Sequence, residues 1–301
     1  MKKLLFAVLL ILCVTQCSCA KNTIVTSNVT NKVYAQNNLN IMVTNKTLYY
    51  MVCDITGQNN YVDYMFKDES KLEKFSYSSD STTNISKQDL FFYSGADFET
   101  WVDDFVNKVD KNKVGMINVS RGITLSNYEN KLYKKYDNQN PYYWLDYDNY
   151  KVMLVNIKNA IEEKDPENRT TYETNFNNSI KKIDSYKKSI DTENDKLKQC
   201  TFVQEVDDLD YFVKETSASS IKFYRDASGN ISSDDENKIS KEKENGNKLC
   251  FIYNNDQDLQ VNQSLIAKYG MTPIKLTTYD GNLSYFQIIQ NNEVSLQNAI
   301  K

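Results

Sequence analysis

Histidine is absent from the 301 residues. That absence removes Ser-His-Asp and Cys-His catalysis, the imidazole general base, every histidine-containing zinc site and the ordinary neutral-pH switch. Glycine is scarce. There are 8, and no two are spaced to write GxGxxG or a Walker phosphate loop, so nucleotide chemistry by those routes is excluded. Positive charge is not in excess: the formal net charge is -4, which disfavours nucleic acid as a partner. Cysteine is sparse where the chain should fold. Beyond the first twenty residues only Cys53, Cys200 and Cys250 remain, an odd and widely spaced set that is neither a disulfide framework nor a CxxC metal site. They read as small buried hydrophobes, with a Cys200–Cys250 pairing left open because both border apolar strand segments. What is present is globular: 40% hydrophobic, 25% charged and 12% aromatic residues rule out a disordered chain. The length suffices for two domains, each burying its own core.

Lys2 and Lys3 precede an apolar run from Leu4 to Val14, followed by Gln16, Cys17, Ser18, Cys19 and Ala20. This is the layout of a secretory signal peptide over residues 1–20, too short for a stable membrane span. The cysteines suggest a bacterial lipoprotein. Cys19, preceded by the small Ser18, is the expected lipid-bearing residue, with Cys17 the alternative. Cleavage after Ala20 also fits the small-x-small rule. The processed chain would be anchored by lipid to the outer face of the cytoplasmic membrane, with residues 21–38 as a polar tether.

From residue 39 strand-like and helix-like segments alternate. Leu39–Thr44, Tyr61–Phe66, Asp89–Tyr93 and Val114–Val119 read as strands. Thr47–Ile55, closed by Gly57, and a stripe of Trp101, Val102, Phe105 and Val109 read as helices. Strand–helix alternation of these lengths implies a parallel sheet over 39–145. Residues 146–198 are helical throughout. Asp165-Pro166-Glu167 is a restart signal, and Phe176, Ile183, Ile190 and Leu197 then recur every seven residues. One helix of some 45 Å is expected there, a stiff strut between two lobes. Alternation resumes over 199–301, with strands near 200–203, 219–224, 249–253 and 274–277. The expected fold class is α/β: two lobes, each a mainly parallel sheet flanked by helices, joined by a long rigid helix.

Two stretches carry a resemblance. Asp-Leu-Phe-Phe-Tyr-Ser-Gly-Ala-Asp-Phe-Glu-Thr-Trp-Val-Asp (89–103) resembles "ADLFIYNGAGLEPWVDK" of the metal-type solute-binding lipoproteins, the zinc and manganese receptors of ABC importers. Asn-Pro-Tyr-Tyr-Trp-Leu-Asp (140–146), with Asp-Pro-Glu-Asn (165–168) after it, is similar to their "DPHFWLDPENAK…LDPEN". The order of lobe, strut and lobe agrees, and the resemblance covers roughly residues 39 to 300. It implies a metal site in the cleft between two lobes, capture there, and delivery to an ABC permease by a monomeric, membrane-anchored receptor that performs no covalent chemistry.

The departures fall on the metal ligands that the resemblance implies. Glu73 stands at the first histidine place by ungapped counting, Tyr142 at the second, and Val206, between Glu205 and Asp207, at the third. Thr278 stands at the final acid, with Asp280 two residues on, and Tyr253 replaces a further acid. Zinc favours nitrogen and sulfur donors, and tyrosine holds its proton at neutral pH. Zinc is therefore not expected. Glu73, Asp207 and Asp280 could together hold a hard divalent cation through oxygen; taken singly, each is a solvated loop acid. Tyr142-Tyr143-Trp144 is expected in the core or along a cleft wall. The function implied is an ABC importer receptor with a degenerate metal site. The alternative is a surface interaction or adhesion protein that keeps the scaffold and binds no metal.

Overall fold

The computed structural model describes residues 38–58, 60–129 and 139–301. The expected signal peptide, Cys17, Cys19 and the tether up to residue 37 lie outside them. Two four-stranded parallel sheets carry the fold. In the first, β1 (Asn40–Asn45) is followed by α1 (Lys46–Thr56), β2 (Tyr61–Phe66), α2 (Glu69–Glu73), α3 (Ser79–Ile85), β3 (Leu90–Tyr93), α4 (Val102–Lys108) and β4 (Gly115–Asn118). Spatial order is β2-β1-β3-β4, with Ile41 opposite both Val62 and Leu90. A single 3-10 turn at Tyr143–Leu145 leads into α5 (Tyr147–Lys164), α6 (Arg169–Thr192) and the short α7 (Asn194–Leu197). The second sheet then runs β5 (Cys200–Gln204), α8 (Asp210–Lys214), β6 (Ser219–Lys222), α9 (Ser233–Glu244), β7 (Lys248–Tyr253), α10 (Asp256–Val261), α11 (Gln263–Tyr269) and β8 (Thr272–Lys275), closed by α12 (Tyr285–Ala299). Its order, β6-β5-β7-β8, mirrors the first.

Local chemistry explains the boundaries. Asn45 ends β1 and caps α1, its side chain accepting from Leu48 N–H at 3.1 Å. Gly57 ends α1 at φ 62°, a left-handed position suited to glycine. Asp146 caps α5 through Asn149 N–H at 2.9 Å. Asp165 separates α5 from α6, its Oδ2 accepting from Tyr172 OH at 2.5 Å and from Asn168 Nδ2 at 2.8 Å. Between β2 and β3 stand two helices that hydrophobic periodicity does not announce. The second, α3, is nucleated by a Ser78/Ser81 capping box instead.

The connecting helix is shorter than its stripe implies. α6 spans 24 residues, about 36 Å at ~1.5 Å per residue, because the chain winds as a 3-10 turn at Pro166–Asn168 and breaks again at Glu193. Nor does α6 stand free between lobes. It packs along α1, α5 and α12, and Tyr172, Ile183 and Ile190 enter one core that also holds Val43 and Phe92 of the first sheet and Phe202 and Ile252 of the second. The two separate cores implied by length are therefore one core through both lobes, with satellite clusters on the outer faces around Phe105 and Phe251. Cys200 and Cys250 are buried and free. Register places Cys250 opposite Phe202, two residues from Cys200. No helix among the described residues is long and apolar enough to cross a membrane.

Candidate functional site: the interlobe cleft

In open parallel sheets ligands bind beyond the carboxyl ends of the strands. Here the carboxyl ends of the strands supply the chain that meets between the lobes. At the first sheet, Glu99 ties β1 to β3. Its buried carboxyl accepts from Thr44 Oγ1, from Ser94 N–H at 2.9 Å and from Gly95 N–H at 3.0 Å. Burial raises its pKa above the usual carboxylate range, against the pull of those bonds. The loop that follows β3 is strained at Ala96 and Asp97, which share positive φ (53° and 59°) with Gly95 (68°). A Cβ at Gly95 would lie 2.5 Å from Asn118 Oδ1, so that position requires glycine. Phe98 follows, fully buried, and its ring meets Trp144 edge-on at 5.0 Å, Tyr142 at 6.2 Å and Tyr279 at 5.8 Å.

Tyr142, Tyr143 and Trp144 are all buried in the shared core, the first of the two places expected for them. Each polar tip is engaged. Tyr142 OH donates to Glu69 Oε1 at 2.7 Å, Tyr143 OH to Ser94 O at 2.6 Å, and Trp144 Nε1 to Thr278 O at 2.9 Å. The last bond ties the aromatic strap to the second lobe. Tyr279 adds two more ties, donating to Lys67 O at 2.9 Å and accepting from Lys46 N–H at 3.4 Å. Gly281 makes this approach feasible, since a Cβ there would lie 2.1 Å from Lys67 O.

On the other side Asp207 is fully buried. Its Oδ1 accepts from Tyr224 OH at 2.5 Å and pairs with Lys222 Nζ at 3.3 Å, and its Oδ2 accepts from Glu129 N–H at 2.8 Å. Neighbouring Asp208 accepts from Tyr128 OH at 2.6 Å and Asn254 Nδ2 at 2.7 Å. Asp207 is not the solvated loop acid that its sequence context implies. The turn after β5 folds both inward, where tyrosine hydroxyls and a lysine replace water.

The four expected cleft residues thus have different surroundings. Tyr142 is buried, and the acid that meets its hydroxyl is Glu69, one turn before Glu73 on α2. Glu73 ends that helix, half-buried. Asp207 faces Lys222 and Tyr224. Asp280 serves its own turn, accepting from Asn282 N–H at 2.7 Å and Asn282 Nδ2 at 3.0 Å. Glu73, Asp207 and Asp280 do not come together: among the described residues no three His, Cys, Asp or Glu side chains are grouped so as to hold a metal ion. Val206 and Thr278 are buried. Among the described residues, then, no group of side chains fits a zinc or manganese site. Sequence reasoning missed Glu69 and Lys222. Glu69 was hidden by ungapped counting across α2 and α3, and Lys222 because lysine is not a metal ligand.

These features define a class: a two-lobed α/β binding protein with parallel sheets, a helical connector and a cleft at the strand ends. Comparison with known proteins agrees. The chain belongs to the family described as zinc-uptake complex component A, periplasmic, which matches residues 41–299, a family of solute-binding receptors and not of enzymes. It is 28% identical over 189 residues, 61% of its length, to the manganese ABC transporter substrate-binding lipoprotein scaA of Streptococcus gordonii. It is 26% identical over 196 residues, 62% of its length, to the metal ABC transporter substrate-binding lipoprotein ScbA of Streptococcus cristatus. The chain spans 58% and 60% of these two curated relatives. Among solved structures, the metal-dependent lipoprotein YcdH of Bacillus subtilis superposes with a TM-score of 0.69 at 21% identity, covering 86% of this chain and 97% of that one. The laminin-binding adhesin Lmb of Streptococcus agalactiae gives 0.68 at 18% identity, covering 88% and 100%.

Proposed function

We propose that the chain is an extracytoplasmic receptor of the metal ABC importer type, lipid-anchored through Cys19 or Cys17 and monomeric, whose cleft no longer takes zinc. Family membership supports the receptor scaffold and a permease as partner. The observation that carries the loss of zinc is the filling of the ligand places. Tyr142 is bonded to Glu69, Val206 and Thr278 are packed, and no imidazole exists in the chain. A tyrosine hydroxyl that donates to a carboxylate holds its proton and is a poor ligand. We take Glu73, Tyr142, Asp207 and Asp280 as the family's ligand places in this chain; Tyr142 is bonded to Glu69, Asp207 to Lys222 and Tyr224, and Asp280 to its own turn. Acid and aromatic walls suit a cation over an anion. The second reading, an interaction protein on this scaffold, is favoured by the bonds that already tie the lobes, Trp144 to Thr278 and Tyr279 to Lys67.

Elemental analysis of the purified, processed protein tests the proposal. Zinc and manganese should both fall far below one ion per chain. One zinc per chain, lost on changing Tyr142 or Asp207, would overturn it. Co-purification with a membrane permease separates the receptor from the interaction protein.

A further inference from the structure

Lys222 closes β6, the edge strand of the second sheet, paired in register with Gln204. Its ammonium is the meeting point of three carboxylates from two places in the chain: Glu129 Oε1 at 2.9 Å, and from the turn after β5 Asp210 Oδ2 at 3.0 Å and Asp207 Oδ1 at 3.3 Å. Asp207 and Asp210 are oriented by further groups, while the Glu129 side chain is 65% exposed. Gln204 Nε2 donates to the other oxygen of Asp210 at 2.6 Å, Tyr224 OH to Asp207 Oδ1 at 2.5 Å, and Glu129 N–H to Asp207 Oδ2 at 2.8 Å. Asp207 is fully buried and the Asp210 side chain 14% exposed. Carboxylates so close repel unless a cation stands between them, and the Lys222 ammonium stands there. Asp207 adjoins Val206, the place of a metal ligand in the family.

We propose that Lys222 is a tethered cation. Its ammonium does, for the second lobe, the electrostatic work of a bound divalent ion, and it holds the incoming segment Ser126–Glu129 on that lobe. The proposal rests on the reading of the cleft as one that has lost its family metal ligands. The segment is fixed at every step. Ser126 N–H donates to Tyr211 OH at 2.7 Å, Lys214 Nζ to Ser126 Oγ at 2.8 Å, Tyr128 OH to Asp208, and Glu129 closes the series on Lys222 and Asp207. An ordinary surface ion pair is weak and replaceable; an ammonium beside the buried Asp207 and the nearly buried Asp210 is not, because its removal takes a paired cation from two acids that water barely reaches. The acids also hold the lysine's proton more firmly than usual, despite its burial. A hard cation could take the vacated place. Calcium binds oxygen at about 2.3–2.6 Å, so the acids would close in by roughly 0.6 Å.

The test compares thermal unfolding of the processed, chelator-treated protein with its Lys222→Met variant, each with and without millimolar calcium, and adds the double variant Lys222→Met/Glu129→Gln. Wild type should be indifferent to calcium. Lys222→Met should unfold about 4 °C or more lower, calcium should recover at least half of that loss, and the double variant should recover less. If Lys222→Met folds only with calcium present, the proposal is supported. A Lys222→Met midpoint equal to wild type, or one lowered but unmoved by calcium, or a variant that folds in neither buffer, overturns it. So does calcium bound by wild type through Asp207. A zinc titration of wild type runs alongside: stoichiometric zinc would remove the reading of the cleft while leaving the calcium response of the variant to be judged separately.

Discussion

Glu293 on α12 is 7% exposed, and its Oε1 has no hydrogen-bond partner among the described residues. Burial pushes its carboxyl up to about 7, and does the same for Glu215, whose oxygen accepts from Tyr147 N–H. Asp54 rises to about 6 for the same reason. All three are raised, so the folded state binds more protons than the unfolded one between the two pKa values. The stabilisation is full below the unfolded pKa and is lost as pH climbs through about 6 to 7. Urea unfolding should therefore show stability falling from about pH 4.5 to about pH 7.5 on account of these groups, whatever other residues add. Glu293→Gln removes one ionisation penalty. It should raise stability by about 1–3 kcal/mol at about pH 8 and by much less near pH 4.5; equal effects at both would show that charge is not the cause. At Gly281 the constraint is steric. Alanine there drives a methyl into Lys67 O, and calorimetric melting should show a loss of about 1–3 kcal/mol. An unchanged midpoint would mean that the two lobes do not press together at that point.

At the scale of elements, the connector decides how the lobes move. Ile183 is fully buried in the shared core, so Ile183→Ala should cost about 2–5 kcal/mol. Denaturant unfolding should stay a single transition, since one core runs through both sheets; two resolved transitions would contradict that. Most elements were legible because their signals are local. β1, β3, β5 and β7 are apolar runs, α9 begins at the Ser232 cap, and Gly270 closes α11 in a left-handed turn. Helices α2 and α3 were not, because five and seven residues carry too few apolar positions to show a period. The two interruptions around α6 were partly written in Asp165-Pro166, but the break at Glu193 has no sequence marker. The cleft was legible only by position. Tyr142 and Asp207 were singled out for where they stand, whereas Glu69 and Lys222 are brought in by helix length and strand register, which a linear reading does not contain.

For the whole molecule, the lobes are held by side chains from both. Trp144 reaches Thr278, Tyr279 reaches Lys67, Asn140 Nδ2 donates to Asp207 O at 2.6 Å, and Lys222 gathers Glu129. A molecule closed by its own bonds and stiffened by α6 should show the same scattering profile with and without added divalent metal; a large change in radius on addition would contradict the shared core. The central claim, a family scaffold whose ligand places are filled by groups that do not take zinc, is tested most directly by calorimetric titration of the metal-stripped, processed chain with zinc. The account predicts no saturable one-to-one heat. A stoichiometric site of sub-micromolar affinity, abolished by changing Tyr142 or Asp207, would contradict it.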